Sequence, residues 1–361
     1  MKGIIKNIFC GAAMLAGTLA GVSCSDWTEN EKIAVKDPVF GESDPELYAR
    51  YLESLRTYKA GDHQRTFVWF DNSNKQPASR GGFFSDVPDS VDVVALKAEG
   101  RLTKSELEQV AALHEKGTAV IAAFDCMAVL AAEGEEGVDA ATRLENALAA
   151  RIAELEADAL DGLTLRYEPT DITFATDEER TAQLALDAVV GSALKELGER
   201  HPEYLLMFEG TPQYCSDQET VGLCDYLVVR CLDAESVYDF GTRARRMSSV
   251  PTIPTDRFVW LVSAVPPAST DNTGYLSDAS GASVRPTGAL AEWLLLPAEL
   301  GKAGLRILDV HYHYSNSPII YRQTTQAITM LTPTPPTSNT IPTSLPPLLP
   351  PVHALPSLHG R

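Results

Sequence analysis

The chain has 361 residues, 44% hydrophobic and 22% charged, with 49 acidic residues against 30 lysines and arginines. That composition excludes a collagen, a coiled coil, a disulfide miniprotein and a wholly disordered chain. A formal charge of −19 speaks against a nucleic-acid binder, because neutralising phosphates needs clustered Lys and Arg.

Residues 1–23 begin with Lys2 and Lys6 and run through apolar and small residues to Ser23, the pattern of a secretory leader. Beyond this leader no apolar run reaches the roughly 18 residues of a spanning helix. Gly21-Val22-Ser23-Cys24 resembles a lipoprotein cleavage box, with Gly21 where Leu is commoner, and implies lipidation at Cys24. An acidic tether and a helical lead-in then fill residues 24–60.

From residue 61 to 331 apolar, strand-like runs alternate with helical stretches. The runs are TFVWF (66–70), VDVVAL (91–96), AVIAAF (119–124), GLTLRY (162–167), YLLMF (204–208), YLVVRCL (226–232), FVWLVSA (258–264) and LRILDV (305–310). Helices are predicted over 104–116, 140–158, 178–200 and 287–303. Thr103 caps the first of these with Glu106 three residues on, and Asp177 stands before Glu178 and Glu179 as a second cap. Eight strands alternating with helices predict a single-domain (β/α)8 TIM barrel. An open doubly wound sheet is the alternative, and it lacks the Gly-rich phosphate loop expected after the first strand.

Residues 332–361 hold nine prolines and one charged residue. Such a tail builds no core, and its break with the acidic body fits a shifted reading frame. Cys126, Cys215, Cys224 and Cys231 lie in the body without a CxxC pair, which disfavours a zinc site and points to buried free thiols. Export would still allow a Cys215–Cys224 bridge.

Barrel chemistry gathers at the C-terminal ends of the strands. Strand four reads Asp161-Gly162-Leu163-Thr164-Leu165-Arg166-Tyr167-Glu168. Alternation puts Gly162, Thr164, Arg166 and Glu168 on one face and the apolar Leu163, Leu165 and Tyr167 on the other. Glu168 is thereby expected inside the mouth of the barrel, as a catalytic acid would be.

This segment resembles the D-G-x-D-x-D-x-E signature of glycoside hydrolase family 18. WFDN (69–72), PDSVDVVAL (88–96), KGTAVI (116–121) and YRQTTQAITML (321–331) are similar to its Bacteroidetes surface-lipoprotein branch. The resemblance implies that Glu168 protonates the glycosidic oxygen while the substrate's own N-acetyl group attacks. It also implies aspartates at positions 164 and 166, where this chain has Thr164 and Arg166. The second of those aspartates would steady the charge that develops on the acetamide. Two like charges 4 Å apart at an effective dielectric near 20 repel by about 4 kcal/mol, roughly three orders of magnitude in rate. A cation beside Glu168 also favours its carboxylate over the acid that donates a proton. Substrate-assisted hydrolysis is expected to be lost or much reduced.

Asp125 at the end of strand three and Glu209 at the end of strand five are the carboxylates that would form a replacement pair, retaining at about 5 Å and inverting when wider. Trp69, Tyr214, Tyr238, Trp260, Tyr275, Tyr312 and Tyr314, with Arg230 closing strand six, are candidates to line a glycan cleft. His311 and His313 flank Tyr312 on strand eight, where two same-face histidines without a third ligand read as structural. The expected protein is an exported, outer-membrane, cell-surface lipoprotein that binds N-acetylglucosamine-containing glycans or glycoproteins and needs no metal or other cofactor. An active endo-β-N-acetylglucosaminidase using Glu168, or a structural subunit of a surface glycan-uptake complex, are the competing expectations.

Overall fold

Strand β1 (Arg65–Phe70) turns Phe67 and Trp69 to one face and Val68 and Phe70 to the other, and all four are buried. A strand buried on both faces must be covered twice, and the computed structural model closes it into a barrel. Residues 44–134, 137–265, 273–297, 301–315 and 318–332 are described. The leader, Cys24, the acidic tether and all but the first residue of the proline-rich tail lie outside them.

The chain divides into two units, Met1–Ala49 and Arg50–Arg361. In the first, residues 44–49 open helix α1 (Pro45–Ala60), where the Asp44 carboxylate accepts from the Leu47 N–H at 2.9 Å. The second unit is the barrel. Its remaining strands are β2 (Val93–Leu96), β3 (Ala119–Asp125), β4 (Gly162–Tyr167), β5 (Leu205–Gly210), β6 (Tyr226–Arg230), β7 (Phe258–Ser263) and β10 (Gly304–Leu308). They pair in parallel in the order β1-β10-β7-β6-β5-β4-β3-β2, with β1 against β2 closing the ring. A short antiparallel ribbon of β8 (Leu276–Ser277) and β9 (Ser283–Val284) decorates the connection after β7.

Parallel neighbours need crossover connections, supplied by α2 (Lys104–Glu115), α3 (Cys126–Ala131), α4 (Ala140–Ala157), α5 (Asp177–Arg200), α6 (Gln218–Gly222), α7 (Val237–Ser248) and α8 (Pro286–Leu295). After β10 come α9 (Tyr312–Ser315) and α10 (Arg322–Leu331). The outer cluster between strands and helices includes Leu163, Leu165, Tyr167, Leu194 and Trp260, while Phe67, Trp69, Val93, Ile121, Met207 and Leu261 fill the interior. The apolar face assigned to β4 therefore packs outward, as its alternation predicts.

Local signals explain the boundaries. Thr103 and Glu106 form the expected capping box, each side chain accepting from the other's backbone N–H. The second box is one residue earlier than predicted: Thr176 pairs with Glu179, and Asp177 is the first helical residue. Helix α8 stops at Leu295, short of the predicted 303. Leu296 precedes Pro297, is barred from helical torsions and adopts φ −70°, ψ 143°. Strand β10 also ends early, at Leu308, because Asp309 turns into the left-handed region at φ 51°.

Cys126, Cys215, Cys224 and Cys231 are buried and free, so no Cys215–Cys224 bridge is present. Burial pushes the thiols of Cys215, Cys224 and Cys231 up to about 12.

Candidate functional site

The strand-four motif is spread along the full height of the barrel. Asp161 lies at the foot, where its Oδ2 accepts from the Val120 N–H at 2.6 Å and sits 2.7 Å from His114 Nε2. It ties β3, β4 and the end of α2 together, far along the strand from Glu168. Gly162 follows because a Cβ there would stand 2.1 Å from the Leu205 carbonyl oxygen. Thr164 is fully buried in the interior, and Arg166 and Glu168 reach the mouth half-buried.

Two contacts hold the upper end of β4. The Tyr167 hydroxyl donates to Asp187 Oδ1 at 2.5 Å on the outer face, anchoring the strand to α5. On the neighbouring strand, a Cβ on Gly210 would meet the Tyr167 carbonyl oxygen at 2.1 Å and Glu168 Cγ at 3.0 Å. Only glycine lets the β5 backbone come close enough to leave Glu168 where it is.

Pairing of the strands sets Asp125, Arg166 and Glu209 level with one another. From there a ladder of alternating charge crosses the mouth. Arg166 donates through Nη1 to Asp125 Oδ2 at 3.0 Å and through Nε to Glu168 Oε1 at 2.9 Å. Arg230 Nε stands 3.3 Å from the same Glu168 oxygen, and its Nη1 donates to Glu209 Oε1. Glu209 Oε2 lies 3.4 Å from Arg306 Nη1, which also donates to Thr164 Oγ1 at 3.0 Å. The Arg306 guanidinium rests 4.7 Å above the Trp69 ring. Three carboxylates thus alternate with three arginines.

Burial opposes the charge on Arg166, but the hydrogen bond to Glu168 and the charges of Asp125 and Glu168 outweigh it and raise its pKa. Arg306 is the reverse: complete burial lowers its pKa to about 10, against the pull of Glu209 and with the help of Arg230. No motif or spacing in the sequence singles out Arg306. Its signal was a lone arginine between Leu305 and Ile307 in an otherwise apolar strand, which requires a buried acid opposite.

Trp69 is buried in the barrel interior near the C-terminal end of β1, with the Arg306 guanidinium over its ring, and Arg230 is a rung of the ladder. Tyr214 is half-buried in the turn after β5, and Tyr312 is half-buried on α9 against His311. Trp260 is elsewhere. It is fully buried on the outer face of β7, packed edge-on against Trp293 at 4.8 Å, and cannot line the mouth. The two histidines also part company, since β10 ends before either. His311 is half-buried, whereas His313 is buried in α9 with Nδ1 2.9 Å from Thr324 Oγ1. Among the described residues no group of His, Cys, Asp and Glu is arranged to hold a metal.

A second group at the mouth joins Lys97 Nζ to Asp309 Oδ1 at 3.5 Å. Burial raises the Asp309 pKa against the opposing effect of Lys97 and His311.

Residues 28–330 match the family model described as glycoside hydrolase family 18, BT1044-like. The chain belongs to glycoside hydrolase family 18. The barrel of this family 18 member superposes on a Glu-to-Gln variant of BT1044 with a TM-score of 0.60 and 17% identity, covering 80% of this chain and 94% of that one. The apo endo-β-N-acetylglucosaminidase from Cordyceps militaris gives 0.59 and 19%, covering 79% and 96%. An Asp-to-Asn, Glu-to-Gln mutant of the Cordyceps militaris enzyme, in complex with fucosyl-N-acetylglucosamine-Asn, gives 0.57 and 17%, covering 78% and 95%. At such identities the likeness is one of fold. No curated protein sequence matches the chain.

Proposed function

We propose that this family 18 barrel binds N-acetylglucosamine-containing glycans without hydrolysing them efficiently. The observation that carries the reading is the state of Glu168, whose Oε1 lies between Arg166 Nε at 2.9 Å and Arg230 Nε at 3.3 Å. A general acid must deliver a proton to the leaving oxygen, and Oε1 of Glu168 is instead taken up by two guanidinium groups. The position expected to steady the developing positive charge carries Arg166, which is itself positive. Neither replacement carboxylate is at liberty: Asp125 is paired with Arg166, and Glu209 is fully buried between Arg230 and Arg306. The family and the fold favour a sugar ligand, and the complex of the Cordyceps militaris enzyme names fucosyl-N-acetylglucosamine-Asn as that neighbour's ligand.

The test is incubation with high-mannose and complex N-glycoproteins, reading released glycan by mass spectrometry and retained glycoprotein by pull-down. Retention without release is expected. Release that disappears in Glu168→Gln would instead establish the second reading, an active endo-β-N-acetylglucosaminidase. That reading draws on the glutamate being present at the strand end with its side chain about one-third exposed.

The leader and Cys24 support a place on the outer membrane through a lipid anchor, facing outward, with a surface glycan-uptake complex as its setting. Palmitate incorporation that persists in Cys24→Ala would overturn the anchor.

A further inference from the structure

Glu168 is held as a bound anion would be. Arg166 and Arg230 come from different strands, β4 and β6, and converge through their Nε atoms on one oxygen of its carboxylate. Each guanidinium is fixed from its far side by another acid, Asp125 for Arg166 and Glu209 for Arg230. Those two acids cannot take Glu168's place. Glu209 is fully buried against Arg306, and Asp125 accepts the Ala128 N–H at the start of α3.

Glu168 differs from both in lying beyond the end of β4 and in having an Oε2 with no hydrogen-bond or ion-pair partner among the described residues. Its side chain is about one-third exposed, as is that of Asp125, but both Asp125 oxygens are engaged. Glu168 is the one rung of the ladder that can swing out while the others stay. With it gone, three arginines face two acids and the mouth carries one uncompensated positive charge, in a chain whose formal charge is −19. Guanidinium groups suit planar carboxylates and sulfates, forming short charge-assisted bonds.

Resting on the glycan-binding reading, we propose that the Arg166–Arg230 clamp seats an anionic group borne by the glycan, a sialic-acid carboxylate or a sulfate ester, in exchange for the carboxylate of Glu168. A neutral glycan offers nothing to take that seat and leaves Glu168 in it. The free protein is therefore self-occupied, and apparent affinity for an acidic glycan is reduced by the fraction of molecules in which Glu168 holds the clamp.

Calorimetric titration at low and at physiological salt distinguishes the cases, with three probes: a disialylated biantennary N-glycan, its desialylated counterpart, and 6-sulfo-N-acetylglucosamine. The wild type is expected to prefer an acidic probe over the neutral one, with the preference narrowing as salt screens it. Glu168→Gln and Glu168→Ala should bind that probe on the order of tenfold more tightly, about the worth of one charged hydrogen bond. Arg166→Gln should abolish the preference. A response to the sialylated probe alone assigns the carboxylate, and a response to the sulfated probe alone assigns the sulfate ester. Equal binding of acidic and neutral probes by the wild type and both Glu168 variants overturns the clamp and leaves glycan binding standing. Failure of all three probes removes the glycan reading and the clamp together.

Discussion

Replacing Glu209 by Gln should be among the most damaging single substitutions in the barrel. Arg306 is 1% exposed and Glu209 is fully buried, so neither is solvated when its partner is lost. The 3.4 Å contact between them corresponds to about 5 kcal/mol at an effective dielectric near 20, an upper bound. Neutralising Glu209 also leaves Arg230 and Arg306 facing each other across the vacated charge. Breaking a buried pair from one side costs about 3–5 kcal/mol, which is the expected loss. Equilibrium urea unfolding reads it as a midpoint lower by about 1–2 M for a slope near 3 kcal/mol/M. The double variant Glu209→Gln/Arg306→Met removes the stranded cation and replaces it with an apolar chain over Trp69, and should recover at least half of the loss. A single-variant loss below about 1 kcal/mol, or a double variant no more stable than the single, would refute a mutually dependent buried pair.

Two further outcomes follow from local geometry. Burial, aided by Arg285, lowers the His313 pKa to about 4, below the roughly 6.5 of an unfolded chain. As pH falls from 6.5 to 4 the unfolded state takes up the proton first, so stability drops over that window by about 3 kcal/mol. His313→Asn should flatten this part of the stability-against-pH curve relative to wild type, and parallel curves would refute it. Gly162→Ala would drive a Cβ to 2.1 Å from the Leu205 carbonyl oxygen and should cost at least about 3 kcal/mol. An unchanged thermal midpoint would show that β4 and β5 can separate there.

The ring of strands was legible because each apolar run is short, separate and followed by helical sequence. The inward face of β4 was equally readable, since Leu163, Leu165 and Tyr167 alternate with polar residues. Strand β7 offered no such alternation. Phe258, Trp260 and Val262 are as apolar as Val259 and Leu261, so either set suits the interior until pairing with β6 and β10 fixes the choice. That is why Trp260 was expected at the mouth and is found under the helices. The misplaced histidines have another cause: Asp309 turns left-handed, and strand parity no longer applies beyond it. The ladder was half visible. Arg166 and Glu168 are two residues apart in sequence, but Glu209 and Arg306 are brought together only by closure of the barrel.

The four described thiols make the protein a reporter of its own breathing. Cys126 lies next to the end of β3, Cys215 and Cys224 flank α6, and Cys231 follows β6, so they sample separate parts of the wall. All are buried, and with thiol pKa values pushed well above the usual range very little thiolate exists near neutrality. Alkylation must then wait for the surrounding segment to open. Timed exposure to iodoacetamide, followed by peptide mass analysis, would rank the opening free energies of these segments in the untouched chain. Repeating it with glycan present would reveal which side of the wall a ligand stiffens.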